Sequence, residues 1–283
     1  MRWVQIARKD FADASRSMTL WILSGLMILL VAGVSAIPHL LYVSGEGSAP
    51  GFDEAMTFMF GLMTLMVSVI GLVVGYQAIV GERELGSIRF LLGLPNTRLD
   101  VVVGKAIGRA AVVAVPTVIG FLVGGVVIVL LYDGFDVATY VGIIAFSLLM
   151  GLVYVSVAVG VSASVSTRAK AIAGVLGIYV IFDWLWWSVP MALYWVVNRE
   201  LAGSTDLPAW YLLVEQLGVW APLGAISHEL VDLGGDIYVP PADRIAGELP
   251  FYLETWFAWV FVAAWILIPL GIGYYRFDRA VLS

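Results

Sequence analysis

Residues 56–80, MTFMFGLMTLMVSVIGLVVGYQAIV, are followed by GERELGSIRFLLGLPNTRLDVVVGKAIGR at 81–109, and the step between the two halves decides the fold. The first half contains no Asp, Glu, Lys or Arg. It exceeds the ~20 residues of helix that cross a hydrocarbon core of ~30 Å. The second half carries Arg83, Arg89, Arg98, Lys105 and Arg109. Further apolar stretches lie at about 19–43, 110–132, 138–165, 171–197 and 256–275, which makes six predicted spans. Basic residues sort between them. Arg2, Arg8, Lys9 and Arg16 precede the first span, Arg168 and Lys170 join the fourth to the fifth, and Arg276 and Arg279 follow the sixth. Thirteen of the fifteen Lys and Arg thus share one side, and only Arg199 and Arg244 fall on the other. The positive-inside rule then predicts a multi-pass plasma-membrane protein with both termini in the cytoplasm.

Composition agrees with an all-α integral membrane protein. The chain is 61% apolar and 13% charged, outside the range of soluble domains. Its net charge of −6 conceals an asymmetry. Six carboxylates accompany the predicted cytoplasmic cations, whereas fourteen lie in the outer segments, and Asp183 falls inside the fifth span. The basic inner face suits anionic lipid headgroups or an acidic protein patch; no nucleic-acid partner is expected. With no Cys, disulfides, thiol nucleophiles and thiolate metal sites are excluded. His39 and His228 show no metal-ligand spacing, so no metal site is expected. Val34-Ser35-Ala36 resembles a signal-cleavage site, but the apolar run before it is longer than a signal core, which predicts an uncleaved first span.

The chain reads as a single transmembrane domain over 1–283, with an amphipathic elbow helix at 1–18. Trp3, Ala7, Phe11 and Ala14 form one helical stripe, while Arg2, Lys9 and Arg16 lie on another face, the pattern of a helix at a membrane surface. A solvated lead-in to the first span is the plainer alternative. The outer loops at 44–54 and 133–137 are short, so their flanking spans pack antiparallel. Residues 198–255 form a long outer segment whose apolar pieces, such as 209–214 and 217–220, are too short to cross. Re-entrant or interface-lying helices, or a small extracellular cap, would each satisfy that pattern.

Loop 81–109 carries the most information. Leu85, Ile88, Leu91 and Leu92 share one helical face, and Pro95 ends the predicted coupling helix because a residue preceding proline avoids helical backbone. Thr97 and Asp100 have the spacing of a capping box, so a second helix starts there and runs into the membrane. Lys105 and Arg109 read as membrane anchors. A partner pushing on this surface would move the spans on either side.

Glu82, Arg83, Glu84, Gly86, Ser87, Leu91, Leu92, Pro95, Thr97, Arg98, Gly104 and Lys105 together resemble the pattern after the second span in permease subunits of type-2 ATP-binding-cassette (ABC) exporters. The opening Arg8-Lys9-Asp10-Phe11 and Arg16 resemble that family's elbow helix, and the six spans extend the resemblance over the whole chain. It implies a permease pairing with a second copy or a related permease. Each would contact a separate ABC ATPase through Glu82, Arg83, Glu84, Gly86, Ser87, Arg89, Pro95 and Arg98, and through Trp3, Arg8, Lys9, Asp10, Phe11 and Arg16. Gly86 would permit close approach. No Gly-x-x-x-x-Gly-Lys-Ser/Thr loop occurs, so the chain itself is expected to bind no cofactor, with ATP and Mg on the partner.

Asp183, with Trp184 and Trp187 beside it, is the candidate for a translocation path, since an intramembrane carboxylate is costly and often functional. An ion-coupled carrier built on Asp183 is the rival function, and an intramembrane enzyme a weaker one. For the enzyme, neither a Gly-x-Ser-x-Gly nor a His-Glu-x-x-His motif is present.

Overall fold

The computed structural model describes residues 2–45, 50–88, 96–231 and 238–280. In chain order the helices are α1 (Arg2–Arg16), α2 (Met18–Val43), α3 (Phe52–Gly75), α4 (Val80–Glu84), α5 (Arg98–Leu131), α6 (Val137–Ser164) and α7 (Arg168–Tyr179). A π-helical turn (Val180–Leu185) leads into α8 (Ser188–Asn198). Next come α9 (Ala209–Gln216), α10 (Trp220–Leu230), α11 (Pro241–Arg244), a 3-10 turn (Phe251–Leu253) and α12 (Thr255–Asp278). Among the described residues there is no β-strand, only an isolated parallel bridge between Leu207 and Ile245.

Among the described residues, five helices are long and apolar enough to cross a membrane: α2, α3 with its α4 extension, α5, α6 and α12. The π turn with α7, together with α8, makes the sixth when counted as one span bent by 56°. Helix α6 is the axle. Two thirds of its apolar window is buried, 67% against 17% for α12, because α3, α5 and α12 all pack on it. The outer face of α12, with Trp256, Trp259, Leu267, Ile268 and Ile272, is left apolar and exposed, as a surface facing lipid should be.

One expectation changes here and one is met. The helix of the third span begins at Arg98, where the sequence predicts a helix start, so more than three turns of α5 precede the apolar stretch that begins near 110. Its start follows the predicted chemistry: Asp100 N donates to Thr97 Oγ1 at 3.1 Å and Thr97 N to Asp100 Oδ2 at 3.0 Å, a reciprocal capping box. The fifth span, expected as one helix over 171–197, is broken. Pro190 cannot donate to the Trp186 carbonyl, which instead receives Val189 N at 3.0 Å, and the chain bends at that point.

The described part of the 198–255 segment packs in two places. Helix α10 buries Pro222 through Ser227 against α6 and α12. Leu207, Tyr211, Leu212 and Leu253 form a second, separate apolar cluster roofed by Tyr194 and Trp210.

Candidate functional site: a charged hub where five helices meet

At the end of the bundle that gathers α1, α4 and the start of α5, the charges are cross-linked. Helix α1 lies on α5 at two glycines one turn apart. A Cβ on Gly104 would stand 2.8 Å from Ile6 Cβ and from the Trp3 carbonyl oxygen, and one on Gly108 would stand 2.9 Å from Asp10 Cβ. Small residues at this spacing let helix backbones approach closely. The residue after each glycine is a cation, and the close approach carries Asp10 between the two. Lys105 Nζ donates to Asp10 Oδ1 at 2.6 Å and to Glu82 Oε1 at 2.5 Å, with the Lys105 side chain only 5% exposed. Arg109 Nε lies 2.9 Å from Asp10 Oδ2, a contact of charge rather than an aligned hydrogen bond, and Nη2 donates to Oδ1 at 3.3 Å.

Two cations therefore face two carboxylates, and the cluster is neutral. Lys105 and Arg109, expected as membrane anchors, are instead the centre of this network. Their cost of burial is offset by their partners, whereas removing one partner would strand a buried charge. The Oε2 atom of Glu82 is buried without a hydrogen bond among the described residues.

The rest of the Glu-Arg-Glu triplet also faces its own chain. Arg83 Nη1 donates to the Val165 carbonyl at 2.7 Å. Glu84 pairs with Arg168 Nε at 3.1 Å and accepts the Arg168 backbone N–H at 2.7 Å, so a carboxylate sits on the N-terminal turn of α7. Ser162 Oγ accepts from Ile79 N and Val80 N at 3.1 and 3.0 Å. Arg98 donates to the carbonyls of Phe277, Asp278 and Ala280, closing the C-terminus of α12. Residues 79–84 together with Arg98 thereby hold α1 (through Lys105), α5, α6, α7 and α12.

The expected coupling helix is interrupted by a turn at 85–87, and its stretch over 89–95 lies outside the described residues. Helix α4 ends at Glu84, and Gly86 has φ 71°, a left-handed conformation that glycine adopts without penalty. Among the described residues no heavy atom lies within 4 Å of a Cβ built there, so the glycine serves the turn. Ser87 Oγ donates back to the Glu82 carbonyl at 3.3 Å. Arg89, Leu91, Leu92 and Pro95 lie outside the described residues.

On α1 the buried face centres on Ile6, Ala7 and Asp10, with Trp3 and Phe11 half-buried and Arg8, Lys9 and Arg16 exposed. Lys9 donates to Asp13 at 3.0 Å, and that hydrogen bond holds the Lys9 ammonium above its ordinary pKa despite partial desolvation. Ser162 and Arg168, both outside the candidate set, were recognisable only as polar residues flanking a span boundary.

At the opposite end, a cavity of about 310 Å³ takes in Asp183 and Trp187, whereas Trp184 is 58% exposed and lies outside its lining. Tyr154, on α6, donates to Asp183 Oδ1.

Comparison with known proteins places this architecture. A family profile described as "ABC-2 family transporter protein" matches residues 4–282. The chain belongs to the ABC-2 transporter family. It is similar to "Probable ABC transporter permease protein NosY" of Stutzerimonas stutzeri, 26% identical over 285 residues and covering 97% of each chain. The protein of the same name from Pseudomonas aeruginosa is 27% identical over 278 residues, again covering 97% of each. This ABC-2 chain is therefore a multi-pass permease subunit of an ABC transporter. The permease subunit of such a system is not its ATPase, and membership implies an ABC ATPase as partner.

Proposed function

We propose that this permease is the membrane half of an exporter in the plasma membrane, with both termini cytoplasmic, working with a second copy or a related permease. A separate ATPase, holding ATP and Mg, docks where α1 and residues 82–98 meet. The observation that carries this reading is Lys105, which ties Asp10 of α1 and Glu82 of α4 to the start of one spanning helix. A load applied to the exposed surface of α1 or to the loop passes into α5 as a rigid displacement, since the intervening contacts are short, buried and ionic. Arg8, Lys9 and Arg16, being exposed, are available to the ATPase and to anionic lipid headgroups. Glu82 and Arg83 transmit from within, and Arg89 and Pro95 are proposed contact residues. ATP-driven closure of the ATPases would then alternate access to the translocation path.

Co-purification tests the assignment. Tagged wild-type permease should retain its candidate ATPase, and Glu82→Ala/Glu84→Ala should lose it while still inserting into the membrane. Wild-type permease that binds no ATPase would overturn the reading; equal binding by both would remove the triplet from the docking surface.

A further inference from the structure

We propose that the cavity at the acidic end binds an organic monocation, a quaternary or bulky ammonium compound. For its use in transport the proposal rests on the permease reading, but binding itself requires no ATPase. The walls are aromatic: Phe60, Phe182, Trp186, Trp187, Trp220 and Tyr238. Aromatic faces attract cations through the ring quadrupole, most strongly where water is excluded. The volume of about 310 Å³ lies at the lower end of the ~300–1,000 Å³ typical of small-molecule pockets.

The charge balance selects the ligand. Glu215 and Arg244 both line the cavity, but they form a bidentate pair at 2.8 and 3.0 Å and cancel. Asp183 remains. Its Oδ1 accepts from Tyr154, and no ion pair to this carboxylate is found among the described residues. The net charge inside the aromatic walls is thus −1 when Asp183 is ionised. A hard divalent ion would need six or more oxygen ligands, and a single carboxylate without a compensating cation does not supply them. A large, weakly hydrated monocation needs only one carboxylate and ring faces.

The walls are also held in place before any ligand arrives. The π turn, a feature frequent at functional sites, supplies Phe182 and Asp183 to the lining, and Trp186 and Trp187 follow directly after it. Trp186 stacks on Phe182 with ring centroids 4.6 Å apart, and its Nε1 donates to the Val214 carbonyl at 2.9 Å. Its ring covers Gly218, where a Cβ would meet it at 2.4 Å. In the sequence, the segments expected outside the membrane carry fourteen carboxylates against two arginines, a field that concentrates cations on that side.

The test uses purified permease in nanodiscs without ATPase, titrated with choline and tetraethylammonium and followed by calorimetry and tryptophan fluorescence. The neutral carbon isostere of choline, 3,3-dimethyl-1-butanol, is the control. Wild type should bind a cation saturably and the isostere about tenfold more weakly. Asp183→Asn should reduce that preference several-fold, the aromatic walls alone retaining the remainder. Trp187→Leu alters an exposed ring, leaves the fold intact and should weaken cation binding several-fold. Equal binding of choline and its isostere, displacement by calcium in preference to the ammonium compounds, or no saturable binding of either cation would overturn the proposal. Because these readouts need no ATPase, they fail or succeed independently of the co-purification experiment.

Discussion

Lys105 on α5 and Asp10 on α1 meet at 2.6 Å with both side chains 5% exposed, although 95 residues separate them. Such a pair is weak evidence for added stability relative to an apolar core, but breaking it from one side is costly. Lys105→Met leaves Asp10 and Glu82 facing Arg109 alone and should destabilise the permease by about 3 kcal/mol. Asp10→Asn combined with Lys105→Met restores neutrality and should recover a large part of that loss. Thermal unfolding of the four members of this cycle in detergent decides the matter, and strict additivity would refute the coupling.

Gly104 controls how close α1 lies. Gly104→Leu places its side chain against Ile6 and the Trp3 carbonyl, an overpacking that costs about 1–3 kcal/mol or lifts α1 away. The chain has no Cys, so one reporter introduced as Ala7→Cys, at a buried position, reads this directly. Maleimide labelling should be slow in the otherwise wild-type chain and fast with Gly104→Leu. Unchanged labelling would show that α1 does not depend on the glycine.

Arg98 closes the last turn of α12 from 179 residues away. Charge-assisted bonds of this kind contribute about 1.5–3 kcal/mol, and a cation also complements the helix C-terminus. Arg98→Ala should raise hydrogen exchange in residues 276–280 while leaving the middle of α12 protected. Uniform exchange along α12 would mean the contact is incidental.

Asp136 caps α6, accepting from Ala138 N at 3.1 Å and Thr139 N at 3.0 Å. Its hydrogen bonds with Thr139, side chain first and then backbone, followed by that from the Ala138 amide, hold the carboxyl below its usual pKa. A depressed folded-state value gives stability that is present above the unfolded pKa and is lost as pH falls through the folded one. The difference in melting temperature between wild type and Asp136→Ala should therefore stay constant from neutral pH to about pH 5, then shrink below about pH 4. A gap that persists at low pH would assign the effect to something other than the ionised cap.

Hydropathy and capping are properties of neighbours in the chain, and these were legible. The spanning helices follow from apolar length, the start of α5 from Thr97 and Asp100, and the family from the pattern between Glu82 and Lys105. The break at Gly86 and the bend before Pro190 were partly legible, since both residue types punctuate helices, but whether a helix continues through them depends on what packs beside it. Nothing local told that Lys105 and Arg109 would turn inward. Their glycine neighbours at 104 and 108 were the available signal, and its meaning depended on a helix 95 residues earlier coming to lie on that face. Likewise Asp183 showed an acid in a span, but its bond to Tyr154, the cancellation of Glu215 by Arg244 and the aromatic walls required α6, the π turn and the outer helices to be assembled. Local composition sets which segments become helices and where they stop. Which charge meets which is decided by how those helices rotate and cross, and only the tertiary structure contains that.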